Sequence, residues 1–427
     1  MIPTTFMNLI SRLATAALVS VGLQHSAYSQ AINATLLGAI SDTSGAVVPR
    51  VKVVITEQNT NVSKVSLTNE SVNYTFPDLA PGTYTVTVEL EGFKKEARRD
   101  VVLSVNTNAR VDLRLQPGNV SETVEITGAP PLLQTDRSDT GRLVDAEMVS
   151  ELPLGVNRNF QSLLDLVPGT TEASFQHSQF FNASGSLQTQ VNGQGRMGNN
   201  YQIEGVDNNE RTGLLQVLIP PAEAIQMVSI STTNHDPELG RGTGAVSNVV
   251  LKSGTNQLHG GLYEWTQNSS FDARAFFTKS VGHLAYNYFG GNLGGAIKKN
   301  KWFIFGDYLR TMDREANTNT LTIPSAAYKA GDLSAGKSAV YDPLTGDPVT
   351  AVGRIPFSGN RIPSSRIDPV AKKIMAYLPD PNLPFVEATP SNNYFTLLPS
   401  RKTADSFDVK TDYTLSDKDR LSGRFSF

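Results

Sequence analysis

Cysteine is absent from the 427 residues, and histidine numbers only five. The first absence excludes disulfide scaffolds, thiolate zinc sites, iron–sulfur clusters and cysteine nucleophiles. The second leaves little imidazole for catalysis. No sign of charge dominates: 37 basic against 40 acidic residues give a net charge of −3, so nothing favours a polyanion and nucleic acid is not an expected partner. Beyond the N-terminus there is no run of about 18 apolar residues, so no helix is expected to cross a membrane. Strands remain open as a means of crossing, because their signal is an alternation that composition hides. Gly (34) and Pro (23) fall short of a low-complexity chain. The length allows two or three domains at about 150 residues each.

The first segment reads as an address. Arg12 precedes the apolar stretch Leu13–Leu23, and the small residues Ala27 and Ser29 fit cleavage before Gln30. Residues 1–29 are therefore expected to be a signal peptide, with Met1 or Met7 as the true start.

Short β-branched runs follow at Val51–Thr56, Tyr84–Leu90 and Val101–Val105, separated by the turn signals Asp42–Gly45, Pro81-Gly82 and Glu91-Gly92. Strands at that spacing predict a small β-sandwich over residues 30–117. Gly38-x-Ile40-x-Asp42-x-x-Gly45, Leu79-Ala80-Pro81-Gly82-x-Tyr84 and Gly92-Phe93 resemble the carboxypeptidase-regulatory-like domain, which implies a transthyretin-like, carbohydrate-binding-like fold. Val72 stands where that family usually has Gly, so a distorted turn is expected there.

Three strings invite chemistry and are declined. His235-Asp-Pro-Glu238 has the spacing of a zinc ligand pair, but only His259 and His283 follow and no third ligand is in prospect. Gly331–Ser338 spells GxxxxGKS, yet no apolar strand precedes it, and Pro343, Gly346 and Pro348 break any helix after it. Gly193-x-Gly195-x-x-Gly198 opens no apolar helix either. No metal, cofactor or catalytic residue is assigned, and enzymatic activity is not expected.

Glu122-Thr-Val-Glu-Ile-Thr127 is short, acidic and β-prone, and Pro130 and Pro131 end it. Such a strand can add to the edge of another protein's sheet; it can equally be the last strand of the sandwich. From Asp136 to Gly254 the pattern turns α/β. Helices are expected at Val144–Leu152 and Asn159–Leu166, and strands at Thr189–Val191, Tyr201–Ile203, Ile225–Thr232 and Val246–Leu251. Leu152-Pro153, Arg158-Asn159-Phe160, Leu163-Leu164-x-Leu166-x-Pro168-Gly169, Val191-Asn192-Gly193, Asn200-Tyr201-x-Ile203-Glu204-Gly205-Val206-Asp207-Asn208-Asn209, Glu238-Leu239-Gly240-Arg241-x-x-Gly244-Ala245-Val246 and Lys252-Ser253-Gly254-Thr255-Asn256 are similar to the plug domain of TonB-dependent outer-membrane receptors, in the Oar-like branch. The resemblance implies that Glu122, Thr123, Val124, Glu125, Ile126 and Thr127 occupy the place of the TonB box, the strand through which such receptors engage periplasmic TonB. Gln194, Arg196, Asn199, Asn200, Asn208, Asn209 and Arg211, in polar plug loops, are the candidate ligand-facing residues.

The last third alternates with period two. Phe407, Val409, Thr411 and Tyr413 interleave with Ser406, Asp408, Lys410 and Asp412, and Leu421, Gly423, Phe425 and Phe427 with Ser422, Arg424 and Ser426. That suits strands with one lipid face and one lumen face, or a half-buried soluble sheet. Strands are expected near His259–Asn268, Tyr286–Ile297, Lys301–Met312, Thr403–Leu415 and Arg420–Phe427. Short connections on one side and long ones on the other fit an outer-membrane barrel, with Trp302-Phe-Ile-Phe305 and Tyr308 expected at the lipid. Asn287-Tyr288-Phe289-Gly290-Gly291 and Lys301-Trp302-Phe303 match the Oar-like pattern, although Ala296 replaces a usual Pro.

The expected fold is mainly β: a transthyretin-like sandwich (30–117), a linker with a TonB-box-like strand (118–131), a small α/β plug (132–255) and the first strands of an incomplete outer-membrane barrel with a long extracellular loop (256–427). Plugged barrels use about 22 strands, so the chain reads as the N-terminal part of a longer receptor. The expected function is a TonB-dependent receptor in the outer membrane, with TonB, outer-membrane lipid and an unidentified extracellular ligand, a glycan among the candidates, as partners. The competing reading is a secreted or surface carbohydrate-binding or adhesion protein acting through the sandwich, which offers Tyr74, Tyr84 and Phe93 as aromatic contacts, although aromatics in a small sandwich are more often core.

Overall fold

The computed structural model describes residues 34–427 except 47, 120–122, 127–139, 153, 156, 175–184, 214, 236, 241, 275, 277–280 and 418. The expected signal peptide, Glu122, Thr127, Pro153 and Arg241 lie outside the described residues. Two compact units result, one over Met1–Leu262, Gly291–Tyr308 and Ser406–Phe427, the other over Tyr263–Gly290 and Leu309–Asp405.

The sandwich is built from β1 (Ala34–Asp42), β2 (Lys52–Glu57), β3 (Ser63–Leu67), β4 (Asn73–Leu79), β5 (Gly82–Glu89), β6 (Lys95–Leu103), β7 (Asn108–Arg110), β8 (Leu113–Leu115) and β9 (Thr123–Ile126). One sheet runs β4-β1-β7, with β8 also on β1, and the other runs β3-β2-β5-β6-β9. Alternate residues of both sheets, among them Leu36, Ile40, Val53, Ile55, Val86, Val88, Val101 and Leu103, meet in one apolar core. Strand β6 starts well before the expected Val101, because the charged run Lys95–Asp100 is held in register by β5 (Thr87↔Ala97, Val88↔Glu96). Gly38 marks a close backbone approach within the β1 sheet: a Cβ there would lie 1.9 Å from the carbonyl oxygen of Val111, between β7 and β8. Val72 takes the left-handed conformation (φ 59°) that the missing glycine would have adopted, so the turn persists.

Tyr74 and Tyr84, named as aromatic contacts under the carbohydrate reading, are core residues at 1% and 5% exposure. Their hydroxyls donate inward to the carbonyls of Val111 and Ala80.

The next sheet is ordered β10-β13-β14-β11-β12, from β10 (Thr140–Asp145), β11 (Asn200–Ile203), β12 (Val206–Asp207), β13 (Ile225–Thr233) and β14 (Val246–Leu251). The helix expected over Val144–Leu152 is corrected: Val144 lies in β10, Asp145 both ends that strand and caps the helix, and the helix is Ala146–Glu151. Pairing of Arg142–Asp145 with Met227–Ile230 overrides the local pattern. Asn159 caps a 3-10 helix, Phe160–Leu166. The strand expected at Thr189–Val191 reduces to single bridges, Ser174↔Gln188 and Thr170↔Val191. The apolar faces of β13 and β14 pack with Phe160, Leu163 and Leu164 in a second core.

A third sheet contains β15 (His259–Asn268), β16 (His283–Lys298), β17 (Trp302–Leu321), β18 (Tyr394–Thr414) and β19 (Arg420–Ser426), in that order, with β15 and β19 at its edges. About 9–11 residues suffice for a tilted strand to cross a bilayer, so β17 and β18, at 20 and 21 residues, extend beyond one. Connections of 299–301 and 415–419 alternate with the longer 269–282 and 322–393.

In the second unit, the segment between β17 and β18 folds on its own contacts. Asn393 is fully buried and exchanges hydrogen bonds with the backbone N–H and carbonyl of Ile323 (2.9 and 2.8 Å). Asp342 takes both terminal guanidinium nitrogens of Arg366, which holds its carboxyl below the usual range together with the Leu344 N–H. The GxxxxGKS string lies here after the short helix Ala326–Lys329 rather than between a strand and a helix.

Candidate functional site

Strand β18 places its two faces in an order opposite to that of a soluble sheet. Phe407 and Val409 stand exposed, whereas Asp408, Lys410 and Asp412 are buried at 4–5% exposure. On β19, Leu421 and Phe425 are likewise exposed at 60%, and Phe407 stacks on Phe425 and Phe427 with ring centres 5.7 and 5.5 Å apart. Apolar surface turned outward and charge turned inward is stable only where the outside is itself apolar.

The inward charges grip the sheet that precedes them. Lys410 Nζ lies 2.8 Å from a Glu204 carboxylate oxygen and donates to the Leu251 carbonyl at 3.1 Å. The same Glu204 oxygen accepts the Leu251 N–H, at 2.8 Å. Asp412 accepts from the Ser253 hydroxyl and pairs with Arg420 at 2.6 Å. Gly254, one residue on, passes so close that a Cβ would lie 2.4 Å from the carbonyl oxygens of Gly295 and Ile304. Glu204, Ser253 and Gly254 belong to quoted motifs, but their role as the grip was not read from sequence. The signal available was the charged alternation Asp408, Lys410, Asp412.

The aromatic cluster at 302–305 needs correction. Neighbouring residues on a strand point to opposite faces, so Trp302 and Ile304 are exposed, each at 40%, while Phe303 and Phe305 are buried. Phe305 packs into the core of the β10–β14 sheet.

A buried ion pair stands at the same end of that sheet, where β13 begins and β14 ends. Arg158 Nε meets Glu223 at 2.7 Å, and the Glu223 carbonyl accepts from Lys252 Nζ at 2.7 Å. Burial pushes the Lys252 ammonium below its ordinary pKa, opposed by the charges of Glu223 and Asp307.

The candidate ligand-facing residues separate into two groups. Asn199, Asn200 and Asn208 are buried and Asn209 half-buried. Asn199 bonds the Thr189 carbonyl (2.8 Å) and the Ala245 N–H (3.0 Å). Asn200 bonds the Leu239 carbonyl (2.8 Å) and the Asn209 amide (2.6 Å). Asn208 holds both backbone groups of Leu218. Each amide thus stands in for a strand partner and closes loop backbone that has none. Gln194, Arg196 and Arg211 are exposed.

Of the TonB-box-like segment, Thr123–Ile126 is described. It lies parallel to β6 in the register Lys95↔Thr123, Glu96↔Val124, Ala97↔Glu125 and Arg98↔Ile126. Glu125 pairs with Arg99 at 2.9 Å, both half-exposed. The sandwich itself rests on the β10–β14 sheet: Val105 packs with Met227 and Val250, and the Asn256 N–H donates to the Asn59 carbonyl at 3.0 Å.

Comparison with known proteins accords with this arrangement. The family described as outer membrane beta barrel domain matches residues 250–427, and the carboxypeptidase regulatory-like domain matches residues 35–116. The TonB-dependent transporter Oar of Myxococcus xanthus is 30% identical over 324 residues, which make up 72% of this chain and 29% of that protein. The chain therefore spans less than a third of the length of this curated relative. Among solved structures, the outer membrane transporter YddB from Escherichia coli is 13% identical, with 65% of this chain and 31% of that chain covered and a TM-score of 0.39. The siderophore receptor PirA from Acinetobacter baumannii is 12% identical over 67% of this chain and 44% of its own, with a TM-score of 0.31.

Proposed function

The chain belongs, over the stretch it spans, to the TonB-dependent outer-membrane receptors of the Oar type, and we propose that it takes part in capturing an extracellular ligand and in drawing on periplasmic TonB to move it. The observation that carries this reading is the reversed facing of β18: charged residues gripping the β10–β14 sheet, apolar residues outward. In it, the β10–β14 sheet (within 132–255) is the plug, and Glu204 and Ser253 hold it against the barrel wall through Lys410 and Asp412. The segment 122–127 is the TonB contact. Gln194, Arg196 and Arg211 are free to meet a ligand, while Asn199, Asn200, Asn208 and Asn209 shape the loops that carry them. The chain works by binding and movement, with no catalytic step.

Co-purification of the full chain with the TonB C-terminal domain tests the coupling. Binding is expected for the natural sequence and is expected to fall on Val124→Pro, since proline removes a strand donor. Equal capture of both proteins would overturn the assignment of the strand.

A further inference from the structure

The β10–β14 sheet is covered on both faces, and by different parts of the chain. Neighbouring residues on a strand point to opposite sides. Val228, Val249 and Leu251 line the core shared with Phe160, so Met227 and Val250, register partners on β13 and β14, face the other way. Both are nonetheless buried, at 6% and 4% exposure. Val105, from the segment between β6 and β7 of the sandwich, packs on the pair, and its N–H donates to the Met227 sulfur at 3.4 Å. A second attachment is polar. The Asn256 N–H donates to the Asn59 carbonyl of the sandwich at 3.0 Å. The Asn256 side chain donates to Asn300 Oδ1 (2.7 Å) and accepts from the Asn300 N–H (2.8 Å), in the turn between β16 and β17. One residue just past the end of β14 thus ties the sandwich to the wall.

We propose that the sandwich is a latch: docked across the seam between the β10–β14 sheet and the wall, it holds the plug in its seat and must let go before the plug can shift. This rests on the reading of that sheet as the plug and adds what restrains it. The two attachments lie on different bodies, Val105 on the plug sheet and Asn59 on the residue that joins plug to wall, so a displacement of the plug breaks one or the other. The contact is also built to release. Beside it lies a cavity of about 150 Å³, lined by Glu57, Lys64 and Tyr84 of the sandwich, Val250 and Ser253 at the end of the plug sheet, and Arg420 of β19. A void of this kind forfeits dispersion contacts that a close-packed, permanent interface makes, and partly polar interfaces between domains allow relative motion. What favours the docked state is the cover over Met227 and Val250, whose apolar surface meets water once Val105 withdraws.

The sequence contains no cysteine, which makes a covalent test clean. The full chain carrying Asn59→Cys and Asn256→Cys is joined by a short, reducible bismaleimide, the bridge is verified by mass spectrometry, and hydrogen exchange of the β13 and β14 amides is followed in outer-membrane vesicles before and after reduction. A closed latch is expected to slow that exchange about tenfold, with the original rates restored by reductant, since opening of the plug then requires a release that the bridge forbids. Val105→Ala is expected to act in the opposite sense and speed the same amides about fivefold, because it uncovers the Met227–Val250 pair, while the β5 amides inside the sandwich keep their rates. Rates on β13 and β14 that stay within about twofold in both proteins overturn the latch. Failure of the bridge to form, when each cysteine alone reacts with a maleimide, overturns it as well, because the sandwich is then not seated on the seam. Lys410→Met separates this from the underlying reading. If that variant leaves the β13 and β14 rates unchanged, the sheet is not a plug held by β18. If it raises them while the bridge and Val105→Ala change nothing, the plug stands and the latch falls.

Discussion

Lys410 and Glu204 lie 206 positions apart in the chain and form an ion pair in which the side chains are 6% and 17% exposed. Removing one member of such a pair leaves the other charge without compensation, which is worse than removing both. Lys410→Met is expected to destabilise the plug by about 3 kcal/mol, whereas the double variant Lys410→Met with Glu204→Gln recovers most of that loss; denaturant titration of the four proteins of the cycle checks it. A simple sum of the two single effects would show that the residues do not act on each other. Glu96 offers a different test. It is buried in the sandwich, and burial raises its pKa, partly offset by a backbone N–H from Arg114 and the charge of Arg98. A carboxyl raised on folding supports the native state fully below its unfolded pKa and withdraws that support as pH climbs through the folded value. Stability should therefore fall as pH rises from the ordinary glutamate range through the raised value, and Glu96→Gln should flatten that part of the profile in pH-dependent thermal melts.

Elements were legible where a single physical pattern dominated. The β-branched run Val246–Leu251 and the segment His259–Asn268 became strands with the bounds expected. The alternation of 406–413 gave both the strand and its two faces. Elements that exist because of a distant partner were not legible: β10 contains Gly141, Arg142 and Asp145, poor strand formers, and owes its form to β13. The polar plug loops were identified by sequence, but not the split within them. Whether an asparagine meets solvent or staples backbone depends on which backbone group lies opposite, and those groups are up to 46 positions away, as for Asn199 and the Ala245 N–H. The aromatics of β17 show the same limit, since a cluster in sequence is divided between two faces by the pleat. The face assignment of β18 has a direct consequence. Phe407→Arg, on the outward face, is expected to weaken membrane insertion by about 2–4 kcal/mol if the site lies near the bilayer centre. Ser406→Arg, one residue earlier and on the inward face, should have a much smaller effect. Partition into outer-membrane vesicles measures both, and equal effects would contradict the assignment of faces.

At the scale of the whole molecule, the sheet β15-β16-β17-β18-β19 ends, among the described residues, at β15 and β19. Unpaired backbone groups in hydrocarbon are unfavourable by several kcal/mol each. Strands β15 and β19 are therefore expected to be paired along those edges wherever the sheet lies in lipid; hydrogen exchange of their amides in outer-membrane vesicles checks it, and exchange as fast as in the loops would contradict it.

The grip of Lys410 and Asp412 on Glu204, Leu251 and Ser253 also bears on the order of assembly. A wall strand carrying Asp408, Lys410 and Asp412 on one side is poorly suited to enter a bilayer before those groups have found their counterparts. A β10–β14 sheet folded first would meet that need, acting as a mould that presents a complementary surface for the nascent wall, the stopper shaping the vessel it later closes.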